Sequence, residues 1–545
     1  MLDCASDTSL FRILRVRPAE PVLAPRRVVD LSRARSMVLG ARSRLIAPLI
    51  AAGLGGIVIL TGGRGGGDLA AATYRVELFA RSGLTLWDSQ WYGGHWTFSY
   101  SVLFAPIGWL AGIPVMETVS VAVAAWAFDR LAVGRFGRAG RVGSIVFAVG
   151  TVAQVANGQE PYLLGETLGL VALLAARSGR WTFALPLAAA ASLASPLAGA
   201  FLTLMAVAWM IGSWPTRRWR GVALATAAAA PVLAIELLFP GLGPEPFPAL
   251  NFVGMLVAVV PIGIIAARRD RAIAVGVALY AVAVVFAFAV PSPIGTNITR
   301  LGVSFGVALG VILAVEQRRG RALLTAAAIP LALAQWIPAR QALLGEGNPS
   351  LAAAYFQPLL HYLGRAERPL GRVEVVPTVT HWEAVYVAPF FPLARGWERQ
   401  LDTANDAIFY QPGRLSGASY RAWLFANGVR FVALPDVELD YAARAEGQVV
   451  RSGVPGVDLV WHDVHWRVYS VIGAPGIVSG PAHLLGATGA KIRLNITRTG
   501  VVLVREHYVA AWQVTRGHAT LTRARGGWLD VHAAGPGPVT LQINL

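Results

Sequence analysis

Residues Thr61–Trp96 read TGGRGGGDLAAATYRVELFARSGLTLWDSQWYGGHW. The stretch follows directly on an apolar run, Leu45–Thr61, long enough to be a first membrane span. Its glycines give way to Asp68 and then to an amphipathic helix expected over Leu69–Ser82, which Gly83 ends as a C′ glycine does. Asp88, the aromatics Trp87, Trp91 and Tyr92, and His95 come next. The apolar stretch after them, Phe98–Ile113, is short for a span and is expected to lie in the membrane interface. Residues 62–113 thus form one long loop that holds acidic groups and aromatics at a membrane surface.

The composition fixes the class. Of 545 residues, 55% are hydrophobic and 14% charged, with a mean hydropathy of +0.54. Apolar runs of about 20 residues recur, which makes a polytopic helical membrane protein and excludes a soluble globular one. The net charge of +17 would suggest nucleic acid in a soluble chain. Here the arginines gather in short loops between apolar runs, the positive-inside pattern, so no nucleic-acid partner is expected. Lys491 is the one lysine, and Cys4 the one cysteine, so no intrachain disulfide can form.

The arginine-rich residues 1–44 read as a basic cytoplasmic tail without a signal-peptide cleavage pattern, or as sequence ahead of a start at Met37. Spans are expected at Leu45–Thr61, Pro114–Val133, Val142–Asn157 and Tyr162–Ala176. The run Trp181–Ile211 is too long for one helix, and Ser195-Pro196 splits it, because proline disfavours a helical residue before it. Five more follow, near Val222–Phe239, Phe252–Ala267, Ala272–Val290, Leu301–Val315 and Ala322–Ile337. About 11 transmembrane helices result, with the N-terminus inside and every arginine-rich turn on one side. The transmembrane region covers residues 45–339. Beyond it an extracytoplasmic α/β region (340–478) and a β-sandwich-like region (479–545) are expected from alternating strands and glycine turns. No internal repeat and no nucleotide-binding glycine motif occurs.

Acidic and polar residues collect on the side opposite the arginines. Asp68 has two compatible readings, a helix N-cap or a catalytic carboxylate. Glu77 points away from it and reads as solvated. Asp88 is a second carboxylate, a metal ligand or a turn residue. Glu166, inside a span, is costly to bury and so either functional or hydrogen-bonded to a neighbouring helix. Gln159 and Glu160 sit at the turn above it and are expected to line the same cavity, with Tyr74, His95 and Asn297. Arg300 opens a span after PSPIGTNIT, where a guanidinium either binds a lipid phosphate bidentately or snorkels to headgroups. In WHDVHW, His462 and His465 would face opposite sides of a strand, which argues against a metal there.

The order of parts resembles the GT-C superfamily of polytopic glycosyltransferases. A first span, a long loop with an early Asp, an amphipathic helix, a Trp/Tyr-Gly-Gly segment and the apolar SYSVLFAPIGWLAG carry the likeness. NGQEPYLLGETLGLVALLAARSGRW followed by LASPLAG is similar to the region of bacterial mannosyl- and arabinosyltransferase-like members that runs from Gly-Gln through a basic turn to Lys-Pro, with Ser195 in the lysine's place. The resemblance implies a polyprenyl-phosphate sugar donor, a cell-envelope acceptor, membrane lipids as surroundings, and inverting transfer at the outer face of the bacterial cytoplasmic membrane. It implies Asp68 as general base, Arg300 on the donor phosphate, and either a divalent metal or none. Two other functions remain at this stage. A lipid-linked glycan transporter predicts inverted repeats and paired midplane charges. A catalytically inactive polysaccharide-binding membrane protein predicts no transfer at all.

Overall fold

The computed structural model describes residues 44–62, 65–213, 218–317, 320–366 and 371–543. The expected basic tail, apart from Arg44, and Met37 lie outside them. Helix α1 (Ile46–Leu60) precedes α2 (Asp68–Ser82), which Gly83 ends with φ 67° and an N–H donated to Phe79 O. Next come α3 (Phe104–Ala111), α4 (Ile113–Asn157), α5 (Glu160–Arg177), α6 (Trp181–Ala194) and α7 (Pro196–Gly212). The apolar series closes with α8 (Arg218–Leu238), α9 (Ala249–Ala266), α10 (Arg271–Ala289), α11 (Thr299–Glu316) and α12 (Arg321–Leu344). The run of 45 residues in α4 is broken at Gly137, at φ 53° and ψ −120°. Arg141 reaches Asp129 at 3.1 Å. In an unbroken helix, residues twelve apart would be about 18 Å apart along the axis, so the chain reverses at Gly137.

Counting both arms of α4, eleven apolar helices are described if α2 and α3 are set aside. Among the described residues, six helices are long and apolar enough to cross a membrane. α3, with 8 residues, spans only about 12 Å and cannot cross. Ser195 is extended between α6 and α7, and its hydroxyl accepts from Ala198 N–H, so the proline step both breaks and caps. Large apolar side chains remain exposed along the helices, among them Leu49, Leu60, Leu237, Val257, Val282 and Phe286. Such a belt has no place in water and suits lipid. The arginine-bearing turns meet at one end of the bundle. There Arg135 pairs with Asp270 at 2.8 Å, and Arg177 donates to the carbonyls of Leu131 and Gly134.

The other end carries the remainder of the chain. A mixed four-stranded sheet has the order β3 (Arg372–Val375), β4 (Val429–Pro435), β6 (Trp466–Val471), β5 (Val457–His462), with β3 and β4 parallel. Helices α13 (Ala353–Arg365), α14 (Glu383–Tyr386), α15 (Arg399–Asn405), α16 (Gly417–Ala426) and α17 (Arg444–Ser452) accompany it. Two antiparallel four-stranded sheets follow, built from strands between Val478 and Ile543, with a shared apolar core that includes Leu494, Val504, Leu529 and Leu541.

The long loop proves to be a clasp. Its hairpin, β1 (Trp87–Asp88) against β2 (His95–Trp96), inserts Trp87 into the core of the two antiparallel sheets. Trp87 Nε1 donates to Glu506 at 2.9 Å, and His507 N–H donates to the carbonyl of Gly93. Tyr74, Trp91 and Tyr92 join a second core with Phe356, Val375 and Trp466. Aromatics that read from sequence as interfacial therefore hold the C-terminal region onto the bundle.

Candidate functional site

The clasp decides the fate of several sequence candidates. Asp88 is fully buried, with Tyr74 Oη donating to one oxygen at 2.8 Å and Gln90 N–H to the other at 3.1 Å. Burial raises its carboxyl, while these two hydrogen bonds oppose the rise. Tyr74 itself stacks on Trp91, and His95 stacks on the same ring system at 5.6 Å. Burial, followed by the charge of Arg75, lowers His95 to about 3, so it stays neutral. Asp88, Tyr74 and His95 are thus all buried within the clasp. Glu77 is half exposed and pairs with Arg81 one turn on at 3.4 Å, as a solvated face would.

Asp68 stands elsewhere. It is the first residue of α2, not the cap; Gly67 holds the cap position and no side chain caps it. The carboxylate instead accepts from Arg300 at 3.0 Å, across 232 positions of sequence. Neither group is sealed off, with Asp68 33% and Arg300 22% exposed. Two residues singled out separately, one as a base and one as a phosphate ligand, thus touch.

Local backbone packing explains why they meet. Gly158, between the second arm of α4 and α5, has φ 74°, and a Cβ there would lie 2.3 Å from Leu69 N. A Cβ on Gly66 would lie 2.5 Å from the carbonyl of Asn157, and Gly65 N–H donates to Ala342 O. The glycine run lets the backbone enter α2 between the ends of α4 and α12, where side chains would not fit. A Cβ on Gly67 would meet the His381 ring at 3.2 Å and the Trp397 ring at 3.7 Å. The C-terminal region therefore forms one wall beside Asp68.

That wall holds groups that sequence reasoning missed. His381, at φ 56°, stacks on Trp397 and lies 3.4 Å from Glu383 and 3.5 Å from Asp440. Burial works against its charge, but the two facing carboxylates outweigh it and raise the imidazole. Arg399 grips Asp440 with two nitrogens and lies 4.5 Å from the ring of Tyr441, which is 58% exposed. Arg75 makes a buried ion pair with Glu398 and covers the ring of Tyr100 at 3.9 Å. Burial raises the Tyr100 hydroxyl, Arg75 opposes this, and Asp68, Glu160 and Glu398 add to it, which places Glu160 in the same neighbourhood. No sequence signal marked His381, Arg399 or Arg75. Glu245, alone among prolines in GLGPEPFP, was a visible signal.

The remaining candidates lie around and below the pair. Gln159 precedes α5 and its carbonyl accepts from Leu163 N–H; Asn297 lies in the short turn Gly295–Ile298 leading to Arg300. Glu166 accepts from Gln154 Nε2 at 2.9 Å, and the same nitrogen reaches Ser304 Oγ at 3.0 Å. Tyr162, one turn above Glu166, lies beneath the Arg300 guanidinium at 5.7 Å. An apolar cavity of about 400 Å³ runs along α11 from Leu301, the residue after Arg300, past Phe305, Leu309 and Ile312, to Arg135 and Asp270. Eleven residues of helix make that path about 17 Å long.

A divalent cation needs several oxygen or nitrogen ligands converging on one point. Among the described residues no group of three His, Cys, Asp or Glu side chains could hold a metal, and the partner of Asp68 is a guanidinium. The residues at this site do not fit a metal; in WHDVHW the His465 ring bonds Asp436 at 2.9 Å.

No family model matches the chain, and no curated protein matches it. Among solved structures the chain is similar to the crystal structure of ArnT from Cupriavidus metallidurans in the apo state, at 15% identity and a TM-score of 0.41, over 83% of this chain and 100% of that one.

Proposed function

We propose that this protein transfers a sugar from a polyprenyl-phosphate donor to a cell-envelope acceptor at the outer face of the bacterial cytoplasmic membrane, with inversion at C1. The observation that carries the reading is the 3.0 Å contact of Asp68 with Arg300, the residue just before Leu301, which lines an apolar cavity along α11. A lipid donor has the matching shape, an anionic head on a long apolar chain. The chain occupies the cavity along α11, and the phosphate takes the Arg300 fork.

The phosphate and Asp68 then compete for one guanidinium. Donor binding turns Arg300 toward the phosphate and leaves the Asp68 carboxylate free to accept a proton. The acceptor hydroxyl gives that proton to Asp68 as its oxygen attacks the sugar C1. The C1–O bond to phosphate breaks, and Arg300 stabilises the charge that develops on the leaving polyprenyl phosphate. The His381–Trp397 wall over Gly67 narrows the approach from the C-terminal side. The arginine turns at the far end of the bundle support an outer-face location, since basic loops stay inside.

Binding of a polyprenyl-phosphate sugar to Arg300 variants tests the reading. Arg300→Lys keeps the charge but loses the fork, and Arg300→Ala loses both. The reading expects stepwise weaker donor binding from wild type to Lys to Ala. Equal affinity in all three would return Arg300 to a snorkelling role.

A further inference from the structure

The segment GLGPEPFP, residues 241–248, joins α8 to α9 and contains one charged residue, Glu245. Pro244 and Pro246 flank it and restrict the backbone on both sides. Gly243 N–H donates to Gln400 O at 2.9 Å, and the Thr403 hydroxyl donates to the Pro244 carbonyl at 2.7 Å. Glu245 N–H donates to Ser292 O at 2.9 Å. Gly295 packs on the Glu245 backbone so closely that a Cβ there would lie 2.0 Å from the carbonyl oxygen. Glu245 is therefore clamped between α15 and the turn that leads into Arg300.

Its N–H is bonded and its carbonyl is packed on Gly295, while its carboxyl, among the described residues, makes no hydrogen bond or ion pair within contact distance. The charged groups near enough to act on it through space are Arg399 on α15, Arg300 on α11 and Asp68 on α2, and the Tyr441 hydroxyl feels it in turn. A half-buried carboxyl clamped beside the turn that leads into Arg300 has two states with opposite consequences. Ionised, it repels a phosphate on Arg300; protonated, it is an O–H donor to that phosphate. We infer that Glu245 is a second acid of this site, facing the lipid phosphate held by Arg300 and donating a hydrogen bond to its oxygen. The inference rests on the phosphate reading of Arg300. Burial raises Glu245 to about 7, with Arg399 and Arg300 opposing and Asp68 adding to the rise. An arriving phosphate raises it further, so donor binding and protonation of Glu245 reinforce each other.

The sign follows. Affinity for an anionic lipid is highest where Glu245 is protonated and falls as pH rises through about 7. The probe is a farnesyl methyl phosphodiester, because a diester keeps one negative charge where a phosphate monoester titrates near pH 6. Its binding to the full-length protein in nanodiscs is measured from pH 5.5 to 8.5. Wild type should bind about tenfold more weakly at the alkaline end, the loss expected of about one unit of differential protonation. Glu245→Gln, which keeps a hydrogen-bond donor and cannot ionise, should lose most of the dependence on pH, with only the part due to His381 left. Glu245→Asp should keep the slope. His381 also titrates nearby with the same sign but is intact in Glu245→Gln. If Glu245→Gln keeps the wild-type slope while Arg300→Ala abolishes binding, the inference is overturned and the phosphate reading survives. If wild type does not bind the diester, or Arg300→Ala binds as wild type does, the phosphate reading falls and the inference with it.

Discussion

Asp68→Asn separates a structural role from a chemical one, because the two differ by orders of magnitude. The carboxylate makes one ion pair, at 3.0 Å, with both partners partly exposed. Pairs of that exposure contribute about 0.2–1 kcal/mol to stability. As the first residue of α2, Asp68 also faces the positive end of the helix dipole, a further contribution of about 0.3–1 kcal/mol. Asparagine has the same size and leaves no buried charge unpaired. The expected loss of stability is therefore about 1 kcal/mol. Loss of a general base costs about 10²–10⁴ in rate, roughly 3–5 kcal/mol of barrier. Single-turnover sugar transfer and thermal unfolding, measured on the same purified samples, read the two quantities side by side. The variant should unfold within a few degrees of wild type and transfer sugar at least a hundredfold more slowly. The double variant Asp68→Asn/Arg300→Lys should be less than additive in rate, since both residues serve one step. A variant that folds normally and transfers at near the wild-type rate would refute the reasoning and leave Asp68 as a partner of Arg300 only.

Four other outcomes follow from the geometry. Gly158→Val forces a side chain to within 2.3 Å of Leu69 N at a positive φ, so α2 must shift by about 1 Å; catalysis should drop about 100-fold while donor binding by Arg300 persists. Glu398→Ala leaves Arg75 buried without its partner and should cost about 3–5 kcal/mol of stability, seen as loss of folded protein in size-exclusion profiles. Asp88→Asn should disturb folding of the clasp, with limited proteolysis near Gly83 increased, and should leave the rate per folded molecule unchanged. Because Glu245 is raised to about 7 from its ordinary 4.5, the folded protein holds a proton that the unfolded chain has released; stability should fall as pH rises from about 4.5 to about 7, and Glu245→Gln should remove that fall.

The bundle was legible because its determinants are local. Apolar runs, arginine turns, the Ser195-Pro196 step and Gly83 each act within a few residues, and the helices begin and end where those signals stand. The reversal at Gly137 lies inside the expected basic turn, Arg135–Arg141. The long loop was less legible. Trp87, Trp91, Asp88 and His95 look alike whether they line an open surface or a core, and what buries them lies far along the chain: a strand more than 400 positions away for Trp87, through Glu506, and the core with Phe356 and Trp466 for Trp91. Asp68 satisfied every local criterion for an N-cap, yet Gly67 holds that position. The contact of Asp68 with Arg300 depends on tertiary packing alone, through Gly66 on Asn157 and Gly158 on Leu69. The wall of His381, Trp397 and Arg399 depends on a sheet whose strands are scattered between Arg372 and Val471.

Consumption of a polyprenyl-phosphate-linked sugar by the purified wild-type protein tests the central claim most directly. The protein in nanodiscs is given labelled polyprenyl-phosphate sugars together with an envelope extract as acceptor. Release of polyprenyl phosphate and the label passing to the acceptor are followed by mass spectrometry, with Asp68→Asn alongside. The account predicts that label leaves the donor, joins the acceptor with inverted configuration at C1, and stays on the donor in the variant. Donors left intact by wild type across the sugars offered, or turnover undiminished in Asp68→Asn, would contradict it.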